Sequence, residues 1–421
     1  LNQDIMLQAI KRDAIALDPE GLNSIIKEVN QAKYVLLGEA SHGTSEYYKI
    51  RAELSKKLIT EKGYSFIAVE GDWPACQQVN RYVKGYETKF TDAREVLQSF
   101  NRWPTWMWAN EEIIDLIEWL REYNKDRSNS EKVGFYGIDV YSLWESMDEI
   151  IHYLKKTNSP VLDSAKKAFS CFEPFNREPQ TYGVSAAFYS EGCYDEVVKL
   201  LTEILMNKKE FSDKEESSLN LEVNAIITAN AENYYRTMVT NDHESWNIRD
   251  RHMVSILNKI SSYYGQTAKG IVWEHNTHVG DARATDMADE GLLNVGQILR
   301  EQEGNENIYI VGFGTHRGTV IASDEWGVNL ERMVVPPAQK GSWEDLLHEA
   351  GPYDKLLIFN ENNRHEYKER IGHRAIGVVY NPRYESFGNY VPSVMAERYD
   401  AFVFINMTNA LHPLEVETVI I

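Results

Sequence analysis

Cysteine is scarce in this chain. Cys76, Cys171 and Cys193 are the only three in 421 residues, and their spacing fits neither a zinc ribbon nor a disulfide framework. An odd, scattered set reads as free thiols packed in the interior, where cysteine behaves as a small hydrophobe. Long apolar runs are missing too: none approaches the roughly 20 residues that span a bilayer. Positive charge is in short supply, with 44 Lys and Arg against 64 Asp and Glu and a net charge of -20. A field of that sign repels phosphate backbones and anionic membrane surfaces, so neither nucleic acid nor membrane is an expected partner. The default address is cytoplasmic. Because the chain starts at Leu1 rather than Met, an upstream leader could have been removed. The oligomeric state is not legible.

Several catalytic signatures are absent as well. There is no G-x-S-x-G elbow to carry a serine nucleophile, and no G-x-G-x-x-G loop follows the first strand to hold a dinucleotide. FGTHRGT has glycines in a phosphate-loop rhythm but lacks the Lys-Ser/Thr of a P-loop.

What is present is a hydrophobic share of 43%, enough for a sizeable core, and a repeated pattern of apolar run followed by ionisable residue. The stretch YVLLGEASHGTSEYYKIR (34–51) shows it best. YVLLG has the continuous apolar character of a strand buried on both faces, Glu39 and His42 follow in a small-residue turn, and Thr44 or Ser45 can cap a helix to about Lys62. SFIAVEGDWP then ends in Glu70 and Asp72, which predicts a βαβ unit with a parallel pair. KVGFYGIDV ends near Asp139, GIVWEHNTHVGD in Glu274, His275, His278 and Asp281, and NIYIVGFGTHRG in Thr315, His316 and Arg317. In a parallel sheet such ends converge on one edge, where open α/β folds place their chemistry.

The expected fold is α/β: a mostly parallel central sheet with helices, a large helical insertion and a small α+β lobe. Residues 1–90, 265–326 and 391–421 form the expected catalytic core. Residues 91–264 read as mainly helical with one core strand near 132–140, and 327–390 as the small lobe. KLLIFN, AIGVVYN and AFVFINMTN are further candidate strands.

Among candidate site residues His42 comes first, since a near-neutral imidazole is the natural group to take a proton from water. Glu39 is close enough to orient its ring; the plainer alternative is a histidine that caps a helix. Arg51 could reach back to a strand-end carboxylate, hold an oxyanion or serve as a structural ion pair. Glu70 could hold a water or the histidine, and Asp72 reads as a helix cap. In WEHNTHVGD the H-x-x-H spacing is too short for the helical zinc motif, and the segment reads as strand and loop. His275 and His278 with the acidic strand ends could still assemble a metal site, so a metal-dependent hydrolase is the runner-up. The tryptophans of RWPTWMW, Trp106 among them, serve either as cavity wall or as core.

These segments, together with NIRD around Arg249, resemble the erythromycin esterase family, which includes proteins called succinoglycan biosynthesis proteins. The resemblance covers most of the chain in the same order. It implies an α/β core with a helical domain and a small additional α+β domain around a deep cleft. It further implies His42 as general base toward a lactone carbonyl, Glu39 and Glu70 as active-site carboxylates, and Arg51 as active-site arginine. It also implies paired cleft histidines at His275 and His278, and a cleft arginine at Arg249. Macrolide hydrolysis, with the antibiotic resistance that follows, is the family's suggestion rather than the residues'. The resulting expectation is an ester or lactone hydrolase with direct attack by water and no cofactor. Its catalytic residues are His42, Glu39, Glu70, His275 and Arg51; its substrate-binding residues are His278, Arg249, Trp106 and His316; no metal is assigned. From a different class, the alternative is a noncatalytic binder of a polysaccharide precursor or hydrophobic small ligand.

Overall fold

The computed structural model describes residues 2–417. Its strands, in chain order, are β1 (Ile15–Ala16), β2 (Tyr34–Leu37), β3 (Phe66–Val69), β4 (Gly134–Gly137), β5 (Gly270–Trp273) and β6 (Ile308–Ala322). They continue with β7 (Glu331–Val335), β8 (Lys355–Ile358), β9 (Arg370–Arg374), β10 (Tyr390–Val394) and β11 (Ala401–Thr408). The main sheet has the order β1-β8-β11-β6-β2-β5-β3-β4, with β7 added to β6. From β11 to β4 the pairs are parallel, whereas β1, β7 and β8 run antiparallel to their neighbours.

Alternate strand residues face opposite layers, and both layers are apolar. Val35, Leu37, Ile67, Val69, Ile271 and Trp273 meet the side that carries helices Pro19–Val29, Ser45–Lys62 and Glu111–Asn124. Tyr34, Leu36, Phe66, Ala68 and Val272 meet the side of helices Asp242–Tyr264 and Val295–Glu303. Burial on both faces is why these strands read as unbroken apolar runs rather than as alternating ones. Helices end where the sequence says they should: Gly63 closes Ser45–Lys62 with φ of 70°, a left-handed conformation that costs glycine little.

Helices Leu143–Lys156, Leu162–Phe172, Pro179–Phe188, Tyr194–Met206 and Ser217–Met238 enclose a third apolar core. Cys171 and Cys193 are joined by a disulfide there, and Cys76 alone is a free, buried thiol. The expectation of three free thiols is corrected: 22 residues of sequence separate the pair, but helix packing brings them together. Such bridges persist in oxidising compartments, a property to weigh against the cytoplasmic default.

Four further expectations are corrected. β2 and β3 are parallel but not neighbours, because β5 lies between them, with Leu37 and Val69 both in register with Trp273. β6 does not end at FGTHRG; it runs for 15 residues to Ala322, and its far half pairs with β7. AIGVVYN forms no strand; it touches β6's extension through one bridge, Ser323 with Val379, and donates Ile376 N–H to Ala40 O at 2.7 Å. Finally, Asn276–Val279 is a short helix, not a loop, with the His275 ring accepting from Thr277 N. Within 327–390, β7 and β8 belong to the main sheet, while β9 pairs with β10 outside it. No described helix is long and apolar enough to cross a membrane.

Candidate active site

The insertion of β5 between β2 and β3 builds the site. It sets the turn after β5 between the carboxyl ends of the other two strands, so that their backbones interlock. Glu274 N donates to Leu37 O at 3.3 Å, Glu70 N to Trp273 O at 3.0 Å, and Asn276 N to Glu39 O at 2.8 Å. His275 N donates to the Glu70 carboxylate at 2.9 Å. The turn carrying His42 is pinned from the other side, where Gly43 O accepts from Ile321 N at 3.0 Å and Leu411 N at 2.9 Å. A Cβ at Gly43 would lie 2.0 Å from Ile321 O, so only glycine permits this approach.

His42 sits 7% exposed at the floor of a cleft of about 370 Å³. Its Nδ1 lies 2.6 Å from Glu39 Oε1 and its Nε2 lies 3.6 Å from Glu70 Oε2. With Nδ1–H donated to Glu39, the Nε2 lone pair is turned toward Glu70 and the cleft. Burial opposes charge on this ring more than any other single influence, yet Glu70 and Glu39 together outweigh it and hold the imidazole above its ordinary range. Burial likewise opposes charge on Glu70. His42, His278 and Arg249, helped by the His275 amide, overcome it and keep Glu70 well below the usual carboxylate range.

Arg51 lies elsewhere than the cleft. It is 0% exposed behind Glu39, donating Nη2 to Glu39 Oε2 at 2.8 Å, with its guanidinium against the Tyr48 and Trp273 rings. Of the roles open to it, fixing Glu39 is the one its position allows; an oxyanion in the cleft is out of its reach. Arg249 does line the cleft, beside His42 and Glu70. It donates Nε and Nη2 to Asp139 at 2.9 and 2.7 Å and Nη2 to Glu70 at 3.0 Å, leaving Nη1 with no protein partner among the described residues. Burial disfavours its charge, but Asp139, Tyr141 and Glu70 hold it firmly protonated.

His275 stands 5.0 Å from His42, ring centroid to ring centroid. Its Nε2–H is donated to Ile376 O at 2.9 Å and its Nδ1 accepts from Thr277 N at 3.2 Å. Burial, then the neighbouring His42, push it down to about 3, so it is a neutral ring with both nitrogens engaged, packed beside His42 and not among the residues that line the cleft. His278 bonds Asp250 through Nδ1 at 2.9 Å, stacks on Trp246, and directs Nε2 toward Glu70 Oε2 at 3.7 Å. Two carboxylate–imidazole pairs, Glu39–His42 and Asp250–His278, thus flank the same Glu70 oxygen.

The structure gathers Glu39, His42, Glu70, Arg51, Arg249, His275 and His278. It does not bring in two other candidates. Trp106 is buried in the core with its indole nitrogen unpartnered among the described residues, while its neighbours Met107 and Trp108 line the cleft. His316 lies mid-strand in β6 and stacks on His348 at 3.7 Å, away from the cleft. Asp72 stands at the start of helix Trp73–Lys84 without a side-chain cap bond; its carboxylate instead takes two bonds of 2.7 Å from Arg102. Asp250, which holds His278, is not among the residues the sequence points to. Its only signal in the sequence is its place beside Arg249 in NIRD, which does not say which way either side chain points.

The family profile described as Erythromycin esterase matches residues 59–408. YbfO of Bacillus subtilis (strain 168), whose name carries the word hydrolase, is 21% identical over 428 residues, spanning 94% of this chain and 89% of that one. Erythromycin esterase type II of Escherichia coli is 30% identical over 114 residues, 27% of this chain and 25% of that one. Among solved structures, a succinoglycan biosynthesis protein matches with a TM-score of 0.77 at 23% identity, covering 97% of this chain and 98% of that one. A Bacillus cereus protein matches with a TM-score of 0.80 at 20% identity, over 99% and 100% of the two chains. A variant of the erythromycin esterase EreC in its open conformation matches with a TM-score of 0.66 at 16% identity, over 96% of each. At these identities the structural likeness establishes a shared fold.

Proposed function

This chain belongs to the erythromycin esterase family, and from that premise we propose that it hydrolyses a carboxylic ester or macrocyclic lactone with water activated by His42. The observation that carries the proposal is the arrangement of His42, with Nδ1 tied to Glu39 at 2.6 Å and Nε2 facing Glu70 and the cleft. Family membership and a hydrolase-named relative support hydrolysis; the ester chemistry and the roles below are our reading.

A water within reach of both groups gives one proton to His42 Nε2 while Glu70 Oε2 accepts its other O–H. The resulting hydroxide attacks the carbonyl carbon, and the oxyanion forms against Arg249 Nη1. When the tetrahedral species collapses, the carbon–oxygen bond to the alcohol breaks, and the departing alkoxide takes the proton back from His42. Glu39, held by Arg51, keeps the ring in the tautomer this cycle needs and steadies the imidazolium. No acyl-enzyme is involved, and a macrolide ring is the substrate the family suggests.

A positioned general base contributes about 10²–10⁴ in rate, so His42→Ala should lose at least that factor in kcat/KM on an ester and lactone panel. Near-normal hydrolysis by the variant would reject the assignment. The panel should be run with and without chelator. Loss of activity on chelation, restored by a divalent ion, would replace this reading with a metal-dependent one. Ligand binding without turnover, unchanged in His42→Ala, would replace it with a noncatalytic binder.

A further inference from the structure

Arg249 is aimed by Asp139, whose carboxylate takes its Nε and Nη2 at 2.9 and 2.7 Å. What aims Asp139 is its own backbone. It stands two residues past β4, outside any regular element, and gives its N–H to Gly71 O at 3.1 Å. The next peptide group, Asp139–Val140, is held at both of its polar atoms. Its N–H, from Val140, donates to Asp139 Oδ1 at 2.8 Å, the same carboxylate oxygen that takes Arg249 Nε. Its carbonyl, from Asp139, accepts from His252 Nε2 at 3.2 Å. The plane of this one peptide therefore governs where the carboxylate points, and His252 governs the plane. His252 lies three residues after Arg249 in helix Asp242–Tyr264, on the same face. One helix grips Asp139 twice, by its side chain through Arg249 and by its main chain through His252.

The ring of His252 is fixed at its other nitrogen as well. Nδ1 accepts from Asn230 Nδ2 at 2.8 Å, and Asn230 belongs to helix Ser217–Met238 of the helical insertion. A carbonyl can only accept, so Nε2 must carry the proton. A neutral imidazole then keeps its lone pair on Nδ1, and Asn230 must present its NH₂. Burial pushes His252 down to about 4, which holds the ring in this neutral form around neutral pH. His252 is 2% and Asp139 3% exposed, so solvent cannot stand in for the bond between them. Without it the buried carbonyl is left unpaired, and the peptide turns to find another donor.

We propose that His252 is a positioning residue: braced by Asn230, it fixes the Asp139–Val140 peptide, and so sets the Asp139 carboxylate that places Arg249 in the cleft. The consequence for turnover rests on the ester-hydrolase reading above; the consequence for His42 does not. His252→Leu removes both bonds, His252→Gln offers an acceptor and a donor on one planar group in their place, and Asn230→Ala removes only the brace. The first readout is the titration midpoint of His42, followed by NMR on histidine-labelled full chain and identified by its loss in His42→Ala. Arg249 holds that midpoint down, so a displaced guanidinium lets it rise. It should rise in His252→Leu, by less in Asn230→Ala, and stay near wild type in His252→Gln. Arg249→Met should raise it too, and adding His252→Leu to Arg249→Met should raise it no further. The second readout is kinetic. An oxyanion donor out of place should cost His252→Leu about 10- to 10²-fold in kcat with little change in KM. An unmoved midpoint in folded His252→Leu overturns the proposal whatever the rate does, and so does a Gln variant displaced as far as the Leu one. If His252→Leu does not fold, Asn230→Ala decides by the same midpoint: a rise supports the proposal and no change overturns it. Should the midpoint rise while the wild type turns over no ester, the positioning role stands and the ester-hydrolase reading falls.

Discussion

Replacing Glu39 by Gln removes one charge and leaves the shape. In the wild type the two oxygens of Glu39 have separate duties, Oε1 taking the His42 Nδ1–H at 2.6 Å and Oε2 taking Arg51 Nη2 at 2.8 Å. An amide has only one oxygen. Arg51 has no acceptor function and must keep it, which turns the amide NH₂ toward Nδ1 and drives the ring proton to Nε2. The base then faces the cleft in the wrong tautomer, and kcat/KM should fall by about 10²–10⁴. The charge effect is separate. A hydrogen bond to a charged group is worth about 1.5–3 kcal/mol. Glu39 supports the imidazolium by both its charge and its bond, so without it the His42 titration moves down. Wild-type kcat/KM should therefore climb with pH through a midpoint above the ordinary histidine value of 6.5, because only the unprotonated ring acts as a base. The residual activity of Glu39→Gln should climb through a lower midpoint. Stability must be tracked alongside, since breaking a buried ion pair costs about 3–5 kcal/mol and Arg51 would lose its carboxylate. The double variant Glu39→Gln/Arg51→Met removes the stranded charge and should regain stability in urea unfolding without regaining rate. An Glu39→Gln enzyme within about threefold of wild type, with an unmoved pH profile, would refute the triad reasoning.

Three other outcomes are expected. Arg249→Lys keeps a positive charge but loses the fork that holds Asp139 and Glu70; losing an oxyanion donor of this kind costs about 10²–10³, read as a fall in kcat larger than any rise in KM. Glu274 is wholly buried with both oxygens unpartnered among the described residues, and burial, then Glu70 and Asp250, push its carboxyl far up. The folded state thus binds a proton that the unfolded chain releases, and stability falls as pH rises above the unfolded value. Urea midpoints measured from about pH 5 to about pH 8 should shift in favour of Glu274→Gln as pH rises, and a constant gap would show that Glu274 is ionised. Cys171→Ser opens a loop of 22 residues' separation and should cost about 3 kcal/mol of stability in urea unfolding, while thiol labelling of the denatured, unreduced wild type should find one free cysteine.

Much of this protein was legible from its residues in order. Runs such as YVLL, FIAV and GIVW are apolar on every position because both faces of a parallel sheet are covered, and an acid or histidine after each run marks a strand end without reference to the rest of the fold. Glu39, His42, Glu70, His275 and His278 could be chosen on that basis, whereas Arg249, on a helix, was reached only through the family resemblance. The tertiary structure alone decided the remainder, because it depends on direction and adjacency, which spacing does not encode. It placed β5 between β2 and β3, which is what makes Glu39 and Glu70 flank one turn. It turned Trp108 to the cleft and Trp106 to the core, two residues apart in one segment. It set Arg51 behind Glu39 and Arg249 in the cleft, although both are arginines on helices. It joined Cys171 to Cys193 and gave His278 its partner Asp250. Composition and periodicity fix which residues must be buried or wet; which buried and polar groups then meet is settled by packing among elements far apart in the chain.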